Sequence, residues 1–270
     1  MADVLNAFSL TGIAASLCEA LDIKPPREAN PSLSQLTELV KRSTGSGHVD
    51  RIFMYNPDAI AMWIYQKYTA FFDDVWKHAQ LALPLRTVMP SVTPVCFGTM
   101  YTGAYPEVHG IQKYEKPIIR IDTIFDALVR ADKRAVILGD PRCSMSNIFL
   151  ERDIDYFPID GIDAINEKAM ELIEEDQYDF MVVYNGNYDS TMHKTGPESV
   201  ASLEALRDNV RAFDAFATAI RARWAHHDTL LAFAMDHGCH EIDDGCGSHG
   251  LDMPEDLNIM HLYGVVPRSV

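Results

Sequence analysis

Short, continuously apolar runs separated by stretches of helical length constrain this chain more than any other feature. Residues 51–55 (R-I-F-M-Y), 135–138 (A-V-I-L), 180–184 (F-M-V-V-Y) and 230–235 (L-L-A-F-A-M) read as strands covered on both faces. A strand with one wet face would alternate apolar and polar residues instead. Residues 85–89 form a further possible strand, and 259–263 a last one. The sequence predicts helices over 1–21, 33–41, 59–78, from about Pro94, and over 123–131, 161–175 and 198–224. In the third of these, Trp63, Tyr65, Tyr68, Phe71, Phe72 and Trp76 predict an aromatic face packed on the sheet. Such alternation predicts an α/β fold, a mainly parallel sheet flanked by helices on both faces.

The chain has 270 residues, enough for one α/β domain with a buried core. We expect a single domain over residues 1–270, with the N-terminal helices (1–48) as an appendage to its core. The formal net charge of -16 disfavours a nucleic-acid polymer or an anionic membrane as partner. An anionic substrate then needs bound cations beside it. No stretch is long and apolar enough to span a bilayer. The N-terminus lacks a basic leader region and reads as an amphipathic helix. The five cysteines show no disulfide framework, so a cytoplasmic location is expected.

In open α/β sheets, ligands bind beyond the carboxyl ends of the strands. Asp58, Thr93, Asp189 and Asp236 each follow a predicted strand, so four loops are expected at one sheet edge. Asp236-His237, in A-M-D-H-G, offers a carboxylate and an imidazole suited to a divalent metal. The same pair reads equally well as a buried cap and its hydrogen-bond partner. Asp189 and His193 stand in D-x-x-x-H, a spacing that puts both on one face of a helical turn; alone, the pair reads more readily as an N-terminal cap with a solvated His. His249 lies in an acidic, glycine-rich loop that can return a late ligand to the site. Thr93 before Pro94 is an ordinary helix start, and a hydroxyl there also meets an anion-binding helix N-terminus. Asp58 is either a cap or a third acidic ligand. Cys239, His240, Cys246 and His249 form a rival zinc-knuckle reading. It requires adjacent Cys239 and His240 to reach one ion and lacks a paired C-x-x-C.

The segment P-S-V-T-P-V-C-F-G-T-M-Y-T-G-A-Y-P-E-V-H-G-I, with Thr93 and ending at Ile111, resembles the alkaline phosphatase superfamily, nearest to its nucleotide pyrophosphatase/phosphodiesterase branch. In that branch a nucleophilic Thr is followed at the same spacing by T-G-x-Y-P-E-x-H-G-I. The D-x-x-x-H…G-P segment, D-H-G and a late His follow in the family's order, so the resemblance covers roughly residues 51–264. It implies an alkaline-phosphatase-like fold and two divalent metal ions, in this family usually zinc. Asp189, His193 and His249 would hold the first. Asp58, Asp236 and His237 would hold the second, with the Thr93 oxygen as a further ligand. Thr93 would attack phosphorus in line and form a phosphothreonine that water hydrolyses. His109 is assigned a supporting role.

The chain departs from the branch at Cys96, where an Asn contacts phosphate. Lys113 and Lys116, just beyond the motif, are candidate sources of positive charge. The expected activity is hydrolysis of a small-molecule phosphate ester: phosphodiester, pyrophosphate or monoester. Alternatives are a phosphonate hydrolase or phosphotransferase of the same superfamily, and a catalytically silent metal-binding module. The oligomeric state is not encoded in any of these features.

Overall fold

Strand β2 (Arg51–Pro57) is buried along its whole length, as its unbroken apolar run demands. In the computed structural model, which describes residues 4–269, it sits at the centre of an eight-stranded sheet. Before β2 come strand β1 (Phe8–Ser9) and helices α1 (Ile13–Ala20) and α2 (Ser34–Ser43). After it come α3 (Met62–Lys67), α4 (Asp73–Trp76), β3 (Leu81–Arg86), α5 (Thr93–Thr102), α6 (Pro106–His109) and α7 (Ile124–Arg130). The middle of the chain forms β4 (Ala135–Gly139), α8 (Ser144–Ile148), β5 (Asp155–Pro158), α9 (Ile162–Glu175), β6 (Phe180–Asn185) and α10 (Asn187–Thr195). The rest forms α11 (Val200–Arg223), β7 (Thr229–Ala234), β8 (His240–Ile242), β9 (Cys246–Ser248), α12 (Pro254–Leu257) and β10 (Asn258–Val266).

The strand order is β1-β3-β10-β7-β2-β6-β4-β5. Strand β10 runs against both of its neighbours, and the other pairings in this sheet are parallel. The sheet is therefore mainly parallel, as expected. Side chains alternate between faces along a strand, and β2 shows where the helices lie. Phe53 and Tyr55 pack on Phe216 of α11, whereas Asn56 takes a hydrogen bond from Tyr101 of α5. One face thus carries α11 with α9, and the other carries α5 with α1, α7 and α8. Each fully buried Phe or Leu in these layers contributes about 1.5–3 kcal/mol. Among the described residues, no helix is long and apolar enough to cross a membrane.

Several expected elements differ. The helix expected over 59–78 is broken into α3, a 3-10 turn (Thr69–Phe72) and α4. Tyr68 leaves helical geometry at φ -116 and ψ 35, and the Thr69 hydroxyl bonds back to the Tyr65 and Gln66 carbonyls, which competes with the helix. The strand expected at 85–89 lies at Leu81–Arg86. Pro84 is tolerated within this strand because β1 covers only Leu85 and Arg86, so Pro84 stands where the outer edge is open.

Of the helix expected over 1–21, residues 1–3 lie outside the described residues, and only a 3-10 turn (Leu10–Gly12) and α1 are helical. Helix α1 is also not amphipathic. All of it except Glu19 is buried, because α2, α5 and α7 surround it. Strand β1 adds an edge strand to the sheet, and Leu10, Ile13 and Leu17 join the core. Strand β5 and the β8–β9 hairpin were not anticipated.

Candidate active site

Three adjacent central strands, β7, β2 and β6, end at one edge of the sheet, and each delivers a carboxylate there. Asp58 follows Pro57 directly. Asp189 sits in the first turn of α10, one short step past β6. Asp236 lies two residues after β7. Helix α10 makes D-x-x-x-H a true helical turn, with Asp189 and His193 on the same face. The acidic loop is the hairpin β8–β9, and it brings His249 back to α10. Asp58 and Asp236 are fully buried, and the chain bends directly after Asp58. Ala59 adopts φ +63, which costs about 1–3 kcal/mol, and its N–H thereby reaches Asp236 Oδ1 at 3.2 Å.

Two clusters result, Asp189/His193/His249 and Asp58/Asp236/His237, each with its ligand atoms within 4.8 Å of one another. In the first, Asp189 Oδ1 is 3.2 Å from His193 Nε2 and 3.4 Å from His249 Nε2. The two Nε2 atoms are 3.1 Å apart. In the second, His237 Nε2 is 3.3 Å from both Asp58 Oδ1 and Asp236 Oδ2. The His237 and His249 rings join the clusters, with centroids 4.1 Å apart.

The donor chemistry fits cations. His193, His237 and His249 each place Nδ1 on a backbone carbonyl, of Gly247, Gly238 and Ser91, at 2.9, 2.9 and 3.1 Å. A carbonyl only accepts, so Nδ1 carries the proton and Nε2 of the neutral ring presents its lone pair. All three lone pairs point into the clusters. Asp58 Oδ1, Asp189 Oδ1 and Asp236 Oδ2 are buried there without a hydrogen-bond partner. Unpaired buried carboxylate oxygens facing imidazole lone pairs are costly. A divalent cation in each cluster would satisfy them, with the backbone carbonyls fixing the ring tautomers.

The titration behaviour of the bare protein reflects the same crowding. Burial, then the charges of Asp236 and Asp189, hold Asp58 well above the usual carboxylate range. Burial pushes Asp236 up to about 8. At Asp189 burial acts upward, but the adjacent His193 and His249 imidazoles outweigh it and the group lies below the usual range. Asp189 raises His193, and burial lowers His249.

Thr93 is the first residue of α5, whose cap is Val92, and it makes no capping bond. Its Oγ1 instead lies 3.3 Å from His237 Nε2 and 3.4 Å from Asp58 Oδ2. The hydroxyl of Tyr184 also donates to Asp58 Oδ2. A cleft of about 330 Å³ opens beside Asp189 and is lined by Tyr114, Lys116, Arg142, Tyr184 and Asn187 among others.

Cys96 does not substitute for the missing Asn. It is fully buried, and its sulfur accepts the Thr87 hydroxyl at 3.1 Å. Burial pushes the thiol well up. Lys113 pairs with Glu115 away from the cleft lining. Asn56 and Asn185 are committed to Ala234 O and Tyr55. The zinc-knuckle grouping does not form. His240 binds Asp256, Cys239 contacts the Tyr188 hydroxyl, and Cys246 faces Lys194 O. His109 supports α5. It hydrogen-bonds Thr99 at 3.0 Å and lies so close to Gly98 that a Cβ there would meet its ring at 2.9 Å.

Residues 55–117 match the family model of type I phosphodiesterase / nucleotide pyrophosphatase. No curated protein matches the chain in sequence. Among solved structures, the fold is similar to murine ectonucleotide pyrophosphatase / phosphodiesterase 5, with TM-score 0.56 and 16% identity over 72% of this chain and 58% of that one. An inactive variant of the murine protein in complex with AMP gives TM-score 0.56 and 15% identity over 72% of this chain and 59% of that one. The human counterpart gives TM-score 0.61 and 12% identity over 80% of this chain and 88% of that one. The chain thus spans 58% and 59% of the length of the two murine structures. The matched segment and the fold agree: the chain resembles the alkaline phosphatase superfamily in its nucleotide pyrophosphatase/phosphodiesterase branch.

Proposed function

We propose that this chain is a two-metal hydrolase of small phosphate esters that acts through Thr93. The observation that carries the reading is the position of the Thr93 hydroxyl, which is free of any capping bond and aimed at Asp58 and His237. Asp189, His193 and His249 would hold one divalent cation, and Asp58, Asp236 and His237 the other, beside the Thr93 oxygen. When bound, the cations, zinc in our reading, supply positive charge that acidifies a hydroxyl and stabilises the oxygens of an in-line displacement.

The chain's own residues do the rest. Thr93 Oγ forms a bond to phosphorus as the bond to the leaving oxygen breaks, and its proton passes toward Asp58 Oδ2. Water then attacks the phosphothreonine, breaks the Oγ–P bond and regenerates the hydroxyl. The cleft beside Asp189 receives the remainder of the ester, with Lys116 and Arg142 at its wall. The substrate class is a small phosphodiester, pyrophosphate or monoester, in keeping with the AMP bound by the murine relative. With net charge -16, a nucleic-acid polymer or a membrane surface is not part of this reading. The cysteines are free thiols among the described residues, and we place the protein in a reducing, cytoplasmic setting. We treat residues 1–270 as one domain.

A panel of aryl phosphate mono-, di- and phosphonate esters tests the reading. With zinc present, wild type turns over at least one ester, and Thr93→Ala loses about 10³-fold or more while still binding metal. Full turnover by Thr93→Ala would remove Thr93 as nucleophile. Buried Cys96, standing where the family has its phosphate-contacting Asn, favours one second reading, a catalytically silent module that binds metals. Wild-type inertness across the panel would support it. A phosphonate substrate, or transfer to an added alcohol, would identify the other enzymatic alternatives.

A further inference from the structure

We infer that Asp256 is the positioning residue that locks the two ligand clusters to each other, an inference that rests on the two-metal reading above. Asp256 lies on α12, belongs to neither cluster, and is fully buried. Its Oδ1 is 2.7 Å from His240 Nδ1. Its Oδ2 accepts the Leu251 N–H at 2.8 Å. Its backbone carbonyl accepts the Gly238 N–H, also at 2.8 Å. Both carboxylate oxygens are therefore occupied, unlike those of Asp58, Asp189 and Asp236. Asp256 is a brace and not a ligand.

The partners explain what it braces. Gly238 and His240 follow His237, a member of the Asp58 cluster. Leu251 follows His249, a member of the Asp189 cluster. These segments leave the two strands of the β8–β9 hairpin at its open end, where His240 pairs with Ser248, and beyond that pair the ladder no longer joins them. Asp256 joins both segments through three bonds, two made by its buried carboxylate and one by its backbone carbonyl. A fully satisfied buried network of this kind specifies a single geometry. The packing is tight as well, since a Cβ on Gly238 would lie 2.0 Å from Glu255 O. The result is the 4.1 Å ring spacing of His237 and His249, by which the clusters adjoin.

Cobalt(II) binding to the full chain, read by absorption, tests this with the metal alone as probe. Wild type should take up two ions. Asp256→Ala should loosen both, by roughly 10–100-fold, the range for losing a partner that orients metal ligands. His240→Ala removes one arm and should loosen one ion only. Asp256→Asn should recover most of the affinity, because its amide still accepts from Leu251 and can donate to His240. Melting curves of the metal-free variants establish that each is folded. A folded Asp256→Ala that binds two ions with wild-type affinity overturns the brace and leaves the two-metal reading intact. If Asp256→Ala does not fold, His240→Ala decides, and wild-type affinity at both of its steps overturns the brace. Absence of cobalt binding by wild type overturns the metal reading itself, and the brace with it.

Discussion

Asp58 and Asp236 show at the scale of single residues how far the site departs from ordinary protein chemistry. Burial raises both carboxyl groups above their usual range, Asp236 to about 8. A carboxyl group whose folded-state pKa is raised contributes stability at low pH and loses it as pH climbs through the folded value. His193 is raised and shifts stability in the same direction. His249 is lowered, so its effect on the slope ends near the ordinary histidine value of about 6.5. Chelator-treated protein should therefore lose melting temperature between about pH 6.5 and 8, and a flat profile in calorimetry would contradict this. The seven residues gathered here are the ones the family resemblance points to, since the order of motifs is a linear property of the chain. The Cys96 orientation was not legible in the sequence, since which way a helical side chain points depends on its neighbour Thr87 across the fold. The role of Asp256 was also hidden, because its three partners come from two other segments.

The decisive element is the stretch from β8 to α12. An Asp-Gly pair between short runs is a hairpin signal, and Asp244-Gly245 marks the turn that returns His249. Read as a mere loop, the segment explained how His249 could arrive but not what holds it. The same limit applies at 59–78, where an aromatic stripe reads as one helix but the backbone breaks at Tyr68. Local pattern reports which face is apolar, while tertiary packing decides where the helix stops. Gly238 offers an element-scale test. Gly238→Ala drives a Cβ into Glu255 O and should cost about 3 kcal/mol in chemical denaturation. Gly110→Ala is the control. It has open space at its Cβ and positive φ, so about 1–2 kcal/mol of backbone strain is its whole penalty. Equal losses for the two would show that α12 does not press on the Asp-His-Gly turn.

For the whole molecule, the parallel centre β7-β2-β6 explains why carboxylates distant in sequence meet. The alternation of strand and helix made that architecture readable. The N-terminal contribution escaped, since a two-residue strand such as β1 leaves no periodic signal. A chain of net charge -16 that keeps unpaired carboxylate oxygens together should be stabilised by cations that bind only the folded state. At 100-fold over its dissociation constant, zinc adds about 2.7 kcal/mol per site, visible as a higher melting temperature that EDTA reverses. The zinc content of the purified, zinc-equilibrated and desalted chain, by elemental analysis, tests the two-metal site most directly. Two zinc ions per chain are expected, falling to about one when Asp189 or Asp236 alone is replaced by Ala. A wild-type chain that retains no zinc, or one whose zinc survives both replacements together, would contradict that site.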